Sequence, residues 1–210
     1  MIKNIIFDIG GVLVAFDPIK TLREMGLPED EVMEIARHTS LSPLWTEFDR
    51  GVIDREKVME QMKEGLSTSY QVDADRFFHE EIMKTVTSFD YSADWVKSLK
   101  ERGYNIYLLT NYPDWMFDYH FEHTFTFAPF VDGQLVSGKE KIIKPNAEIY
   151  QAILAKYNLN AEECVFIDDR PENVEAAQKQ GINGIIFTNY DEVTNKLNNL
   201  LKTWSLRKPT

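Results

Sequence analysis

Ile5-Ile6-Phe7-Asp8-Ile9-Gly10-Gly11-Val12-Leu13-Val14 is the stretch that decides the fold: a short apolar strand, an acidic residue, a glycine pair and a second apolar run. A carboxylate at the C-terminal end of such a strand sits where open α/β sheets place their chemistry. Far along the chain, Val165-Phe166-Ile167 ends in a second acidic signal, Asp168-Asp169. Two strand ends of this kind can gather carboxylates around a divalent cation and leave one as a nucleophile. The pairing points to an enzyme.

Outward from these strands the pattern alternates between strand and helix. No strand is expected between about residues 14 and 88, where helical spacing dominates. Pro28-Glu29-Asp30 looks like a helix start, with Val32, Ile35 and Ala36 at helical spacing behind it. Leu44, Trp45 and Phe48 share a face that Gly51 breaks, Asp54 can cap a helix carrying Val58 and Met62, and Phe77, Phe78, Ile82 and Val86 mark a further helix. After residue 88 come a helix with Trp95, Val96 and Leu99 ended by Gly103, and a strand over 105–109 ending at Thr110-Asn111. A small hairpin or strand-turn is expected over 131–136, then a helix over 147–157, a strand over 164–167 and a helix over 171–179. A strand over 184–187 and a closing helix over 193–204 complete the pattern, and 205–210 reads as a flexible tail. Strands separated by helices imply a parallel, doubly wound α/β sheet with a helical insertion. The expected division is a Rossmann-like core over 1–15 and 89–204 and an inserted helical domain over 16–88.

Composition narrows the class. With 210 residues and 43% hydrophobic content, the chain can bury one good core and a smaller module. Its 23 basic and 34 acidic residues give a net charge of −11, which repels nucleic-acid phosphates. An anionic substrate must therefore meet local positive charge, from a metal ion, a lysine or helix N-termini. No apolar run approaches the ~18 residues of a spanning helix, and the N-terminus reads as a core strand rather than a leader. The single cysteine, Cys164, cannot form an internal disulfide, fits a reducing cytoplasm and reads as a small buried hydrophobe.

Asp8, Thr110-Asn111, Lys144-Pro145 and Asp168-Asp169 carry the chemistry. Alone, each has an ordinary structural reading as a turn, a cap or a solvated cation. Their joint placement, three of them directly after apolar strands and a lysine before a helix, makes coincidence improbable. The set resembles the haloacid dehalogenase (HAD) superfamily over nearly the whole chain. Phe7-Asp8-Ile9-Gly10-Gly11-Val12-Leu13 is similar to its first motif, Leu108-Leu109-Thr110-Asn111 to the second, and Lys144-Pro145-Asn146-Ala147-Glu148-Ile149-Tyr150 to the third. Phe166-Ile167-Asp168-Asp169-Arg170-Pro171-Glu172-Asn173, continuing to Ala177, is similar to the fourth.

The resemblance implies a phosphatase with Asp8 as nucleophile, forming an aspartyl-phosphate. It implies Mg²⁺ held by Asp8, the Gly10 carbonyl and Asp169, with Asp168 acting through water or by orienting the others. Thr110 and the Asn111 backbone would bind phosphoryl oxygens, and Lys144 would neutralise charge on Asp8 and the transferring group. Gly10 departs from the pattern, since most phosphatases of the superfamily carry there an aspartate that protonates the leaving oxygen and then activates water. Glycine at that position is shared with bacterial phosphatases acting on glucose 1-phosphate, the group this chain looks most like. An anomeric leaving oxygen needs less protonation. If another acid is recruited, the helical insertion or a bound water is the place to seek it.

That insertion resembles a C1-type cap, the kind that restricts access to small molecules. Trp45, Phe48, Asp49 and Arg50 precede Gly51 and can face the substrate, although Trp45 and Phe48 also read as cap core. Arg50 is the cap side chain expected to meet a sugar or acid group. His120 and His123 stand one turn apart but read as packing or solvation rather than as metal ligands. The aromatics from Trp115 to Phe127 read as core or as a partner surface. The expectation is a cytoplasmic, Mg²⁺-dependent phosphatase of a small phosphorylated metabolite, a sugar phosphate such as a hexose 1-phosphate. Two alternatives stand beside it: a 2-haloacid dehalogenase, and a non-catalytic regulatory protein that lost turnover with its acid. Family dehalogenases replace the fourth motif's carboxylates with uncharged residues, so Asp168-Asp169 argues against the first.

Overall fold

Ile5 and Phe7 point to one side of a sheet and Ile6 to the other, and all three are buried. The computed structural model describes residues 1–205. Its strands are β1 (Asn4–Phe7), β2 (Val14–Phe16), β3 (Val86–Ser88), β4 (Asn105–Thr110), β5 (Gly133–Val136), β6 (Cys164–Asp168) and β7 (Asn183–Ile186). Five of them form a parallel sheet in the order β5-β4-β1-β6-β7. The chain leaves β1 on one side for β4 and later returns on the other side as β6. That reversal of winding opens a crevice beyond the C-terminal end of β1.

The register aligns Ile5 with Ile106 and Val165, and Ile6 with Tyr107 and Phe166. Because side chains alternate across a strand, each row belongs to one face. The helices following β2 are α1 (Pro18–Glu24), α2 (Glu29–His38), α3 (Leu44–Arg50), α4 (Arg55–Lys63) and α5 (Thr68–Arg76). After β3 come α6 (Ser92–Glu101), α7 (Asp114–His123), α8 (Ser137–Glu140), α9 (Ala147–Lys156), α10 (Pro171–Lys179) and α11 (Tyr190–Ser205). The Ile6 row packs with Ile149, Tyr150 and Ile153 of α9 and Ala177 of α10. The Ile5 row joins Trp95 and Leu99 of α6 with Val193 and Leu197 of α11. Both faces are covered, as a parallel sheet requires, and each fully buried Ile or Phe contributes roughly 1.5–3 kcal/mol.

Local chemistry sets the helix ends. The Asp54 carboxylate accepts the backbone N–H groups of Glu56 (3.1 Å) and Lys57 (3.4 Å) and so caps α4. Pro171 opens α10, where its missing N–H costs nothing. Gly51 ends α3 with φ +65°, a conformation that glycine adopts without strain.

The structure corrects two expectations. Residues 14–16 and 86–88 were expected to lack strand, yet β2 and β3 pair antiparallel, Val14 with Ser88 and Phe16 with Val86. Strands of three residues carry no readable period, and their partners lie at opposite ends of the helical insertion. Val86, expected on a helix with Phe77, Phe78 and Ile82, instead opens β3 after a π-helical turn (Phe77–Glu81) and a 3₁₀ turn (Ile82–Thr85). The segment read as a small hairpin or strand-turn over 131–136 contributes a single strand, β5, which pairs parallel with β4 through Tyr107–Gly133 to Thr110–Val136. Of the tail expected over 205–210, Ser205 ends α11 and the rest lies outside the described residues.

Cys164 is fully buried and its thiol donates to the Asn160 carbonyl at 3.2 Å. Burial pushes that thiol up to about 11, so it stays protonated and unreactive at neutral pH. No helix among the described residues is long and apolar enough to cross a membrane.

Candidate active site

The backbone of Asp8 continues the β1–β6 pairing by donating to the Ile167 carbonyl at 2.8 Å, which places its side chain at the mouth of the crevice. The next residues turn back sharply, with the Ile9 carbonyl accepting from Leu13 (2.8 Å) and Val14 (3.0 Å). Gly11 makes that turn with φ +71°, and a Cβ there would lie 2.5 Å from Asp169 Oδ2. A glycine is required at position 11 twice over, by backbone angle and by the closeness of Asp169. Gly10 is different: its φ lies outside the left-handed region and a Cβ would have no neighbour within 4 Å.

Lys144 is the hub. Its ammonium, 3% exposed as a residue, lies 2.8 Å from Asp8 Oδ1 and 2.7 Å from Asp168 Oδ2. Asn111 holds the Lys144 backbone: its amide oxygen accepts the backbone N–H of Lys144 (2.8 Å) and its amide nitrogen donates to the Lys144 carbonyl (3.0 Å). Asp168, fully buried, also accepts from Asn173 Nδ2 at 3.1 and 3.0 Å and from the Arg170 N–H at 2.8 Å. Every direction around its carboxylate is taken. Asp169 is exposed, and among the described residues no other side chain is bonded to its carboxylate.

Carboxylate oxygens of Asp8, Asp168 and Asp169 all lie within 4.8 Å of one another. Three carboxylates therefore face one ammonium in a largely buried place. Burial pushes Asp8 up to about 7; Asp168 adds to the rise, while the charge and hydrogen bond of Lys144 oppose it. Those two anions hold Lys144 above its ordinary range although burial alone would lower it. An excess of hard oxygen donors over positive charge is the donor set a small divalent cation fits.

The cluster forms one wall of a cavity of about 510 Å³. Thr110 and Asn111 line it from the end of β4, and Gly10, Gly11, Asp169 and Asn173 complete that side. Thr110 is 1% exposed, and its hydroxyl has no hydrogen-bond partner among the described residues. Phe16 of β2 and Trp45 and Asp49 of α3 line the same cavity. Trp45 also packs on Phe16 and Phe48, at ring distances of 5.5 and 5.2 Å, so it serves the apolar cluster and the cavity together. Arg50 does not line the cavity; it pairs with Glu47 at 3.3 Å.

Sequence reasoning passed over Asn173 as a site residue, although it stands inside the fourth motif, and it treated Asn111 only as a backbone donor. Ser137 was missed altogether: it accepts the Tyr112 N–H (2.8 Å) and donates to the Asp49 carbonyl (2.6 Å), tying α3 to the sheet. Nothing in a lone serine at a strand end announces that contact. His120 and His123 part company: His123 is exposed, while fully buried His120 donates from Nε2 to the Met83 carbonyl (2.9 Å) and accepts the Tyr112 hydroxyl at Nδ1 (2.8 Å). Phe117, Phe125 and Phe127 are buried, so this part of the aromatic stretch is core.

Residues 2–181 match a family model described as haloacid dehalogenase-like hydrolase. The chain is 28% identical over 190 residues to a sesquiterpene phosphatase of Aspergillus oryzae, covering 89% of this chain and 90% of that protein. It is 28% identical over 180 residues to a flavin mononucleotide hydrolase of Arabidopsis thaliana, covering 83% and 67% respectively. It is 22% identical to a D-ribitol-5-phosphate phosphatase of Bacteroides thetaiotaomicron, covering 86% and 89%. Among solved structures, a HAD-like family hydrolase of Porphyromonas gingivalis matches with TM-score 0.67 and 26% identity over 100% of both chains. A Bacteroides thetaiotaomicron HAD family enzyme in complex with magnesium and inorganic phosphate matches with TM-score 0.67 and 23% identity, covering 89% of this chain and 94% of that one.

Proposed function

The chain belongs to the haloacid dehalogenase-like hydrolases, and on that premise we propose that it is a phosphatase of small phosphorylated metabolites that passes the phosphoryl group through Asp8. One observation carries the reading: Asp8, Lys144, Thr110 and Asp169 converge on one wall of a cavity large enough for a small phosphorylated metabolite. The relatives named as a sesquiterpene phosphatase and a ribitol-5-phosphate phosphatase support the reaction class. A dehalogenase has no need of three converging carboxylates, and no feature of this site favours one.

In the proposed reaction an Asp8 carboxylate oxygen attacks phosphorus and the bond to the leaving oxygen breaks. Lys144 offsets charge on Asp8 and on the phosphoryl oxygens, and its double hydrogen bond to Asn111 keeps it placed for that task. The Thr110 hydroxyl and the Asn111 N–H donate to phosphoryl oxygens. Water then cleaves the aspartyl-phosphate and Asp8 returns to its starting form. Asp8, the Gly10 carbonyl and Asp169 would hold Mg²⁺, with Asp168 ordering them. Bound there, Mg²⁺ supplies positive charge that lets an anionic phosphate enter an acidic site.

The same reading treats residues 16–88 as a C1-type cap over a core of 1–15 and 89–204. The narrower substrate, a sugar phosphate such as a hexose 1-phosphate, draws support from the cavity volume and from Gly10. Without a carboxyl at position 10, an acidic leaving oxygen is favoured unless another group supplies a proton.

Phosphate release from a panel of metabolites, with and without Mg²⁺, tests the proposal, and halide release from 2-chloropropionate tests the dehalogenase. Mg²⁺-dependent phosphate release is expected. Halide release, or turnover of nothing in the panel, would overturn it. The metal assignment makes a separate prediction. Asp169→Asn should weaken Mg²⁺ affinity by about 10–100-fold while leaving the melting temperature of the metal-free protein nearly unchanged. Asp168→Asn should instead destabilise that metal-free protein, because the fully buried Asp168 carboxylate accepts from Asn173 and the Arg170 N–H as well as from Lys144, and an amide nitrogen in place of one oxygen cannot accept. Calorimetric titration and thermal melts of both variants check this, and equal or reversed effects would mean the two roles are exchanged.

A further inference from the structure

We propose that Asp49, carried by α3 into the cavity that Asp8 lines, is the catalytic acid and base that position 10 lacks. The inference rests on the phosphatase reading and deepens it. Asp49 lines the cavity together with Asp8, Gly10 and Lys144. Its carboxyl has no hydrogen bond or ion pair with any described residue, so nothing in the protein diverts it from a ligand.

Its backbone, by contrast, is tightly held. The Asp49 carbonyl accepts from Ser137 Oγ at 2.6 Å, and the same hydroxyl accepts the Tyr112 N–H at 2.8 Å. Two residues on, Gly51 closes α3 in the left-handed conformation against α8, where a Cβ would lie 3.0 Å from the Gly138 carbonyl. The carboxyl thus projects from a fixed point on the sheet side of the insertion, which is what proton transfer in a defined geometry needs.

The surroundings favour the protonated form. Burial, then the negative charge of Asp8, raise Asp49 well above the usual carboxylate range, while Lys144 and Arg170 pull the other way. Asp169 and Tyr112 also line this cavity, and the Tyr112 hydroxyl is itself raised by burial and by Asp49.

The steps balance. As the bond from Asp8 oxygen to phosphorus forms and the bond to the leaving oxygen breaks, the Asp49 proton passes to that oxygen and frees an alcohol. Asp49, now a carboxylate, takes a proton from the water that attacks the aspartyl-phosphate. The Asp8–phosphorus bond breaks, phosphate leaves, and both carboxyl groups are restored to their starting states. With Asp49 in this role the enzyme accepts phosphates of ordinary alcohols as well as anomeric ones.

The test compares wild type with Asp49→Asn in the presence of Mg²⁺, on p-nitrophenyl phosphate and on glucose 6-phosphate. The aryl leaving group needs no proton, so the variant should release a burst of p-nitrophenol close to one per active site. Steady turnover should then be about 10²–10⁴-fold slower than wild type, with phosphoenzyme accumulating, because the base is gone. On glucose 6-phosphate the variant should show neither burst nor turnover. Gly10→Asp placed in the Asp49→Asn background should restore glucose 6-phosphate turnover by at least about tenfold, since position 10 has room for the side chain. Wild-type rates on both substrates in Asp49→Asn would overturn the inference. So would an equal loss on both with no burst, which would mean that Asp49 only supports α3. A wild-type protein that releases no phosphate from either substrate would instead sink the phosphatase reading beneath it.

Discussion

Replacing Asp8 with asparagine is expected to lower phosphate release by more than about 10⁴-fold, the scale of loss seen when a covalent nucleophile is removed. The amide oxygen is a far poorer nucleophile, and no aspartyl-phosphate can form through it. Asparagine keeps the shape of the side chain, and its amide oxygen can still accept from Lys144, which lies 2.8 Å from Asp8 Oδ1. It also removes one of two buried anions that share a single ammonium, so the fold should survive with little change in melting temperature. The measurement is single-turnover phosphate release, with acid-quenched protein examined for a phosphorylated aspartate. Residual turnover above about one per cent of wild type in a sample free of contaminating phosphatase would remove Asp8 from the role.

Why Asp8 was singled out while Asp49 was only one of several candidates before Gly51 follows from where each sits. Asp8, Thr110 and Asp168 each end or directly follow a strand whose apolar run is visible in one dimension, at Ile5–Phe7, Ile106–Leu109 and Val165–Ile167. Parallel strands put such ends on the same edge, so the sequence pattern translates directly into a cluster. The order β5-β4-β1-β6-β7 is not written in any one strand, but α/β alternation restricts it to a few windings. Asp49 and Arg50 are neighbours on one short helix, and only the rotation of α3 against α8 decides which of them meets the cavity. That rotation is set by the Ser137 hydrogen bond and the close approach at Gly51, contacts between segments far apart in the chain. The β2–β3 ribbon escaped notice for the same reason, since its pairing of Val14 with Ser88 spans the whole helical insertion.

Glycine offers the sharpest contrast between what a residue type suggests and what its surroundings require. Gly10 and Gly11 look equivalent in sequence. Gly11 has a positive φ and sits against Asp169, so any side chain there would displace a carboxylate of the cluster. Gly10 has neither constraint, so its glycine is not demanded by the fold. The absent carboxyl at position 10 is thus a matter of the site's chemistry and not of the backbone.

Lys144→Met is expected to be the most damaging single change for stability and site together. The lysine ammonium touches Asp8 and Asp168 at 2.8 and 2.7 Å, with its side chain 1% exposed. Methionine fills most of the same volume, so the loss is one of charge and hydrogen bonds and not of packing. Two carboxylates would then face each other in a buried place, and breaking a buried pair in this way typically costs about 3–5 kcal/mol. For a chain of this size that corresponds to a fall of roughly 6–20 °C in melting temperature. Phosphate release should fall by about 10²–10³-fold, the loss usual when a preorganised charge-stabilising group is removed. Two further measurements separate this account from simple damage. Adding Asp168→Asn to Lys144→Met should recover part of the lost stability, because one of the uncompensated charges disappears. Mg²⁺ should raise the melting temperature of Lys144→Met more than that of wild type, because a site with more unbalanced negative charge binds the cation more tightly. A variant that melts within about 2 °C of wild type, with no added response to Mg²⁺, would mean that the three carboxylates do not depend on Lys144 for their charge balance.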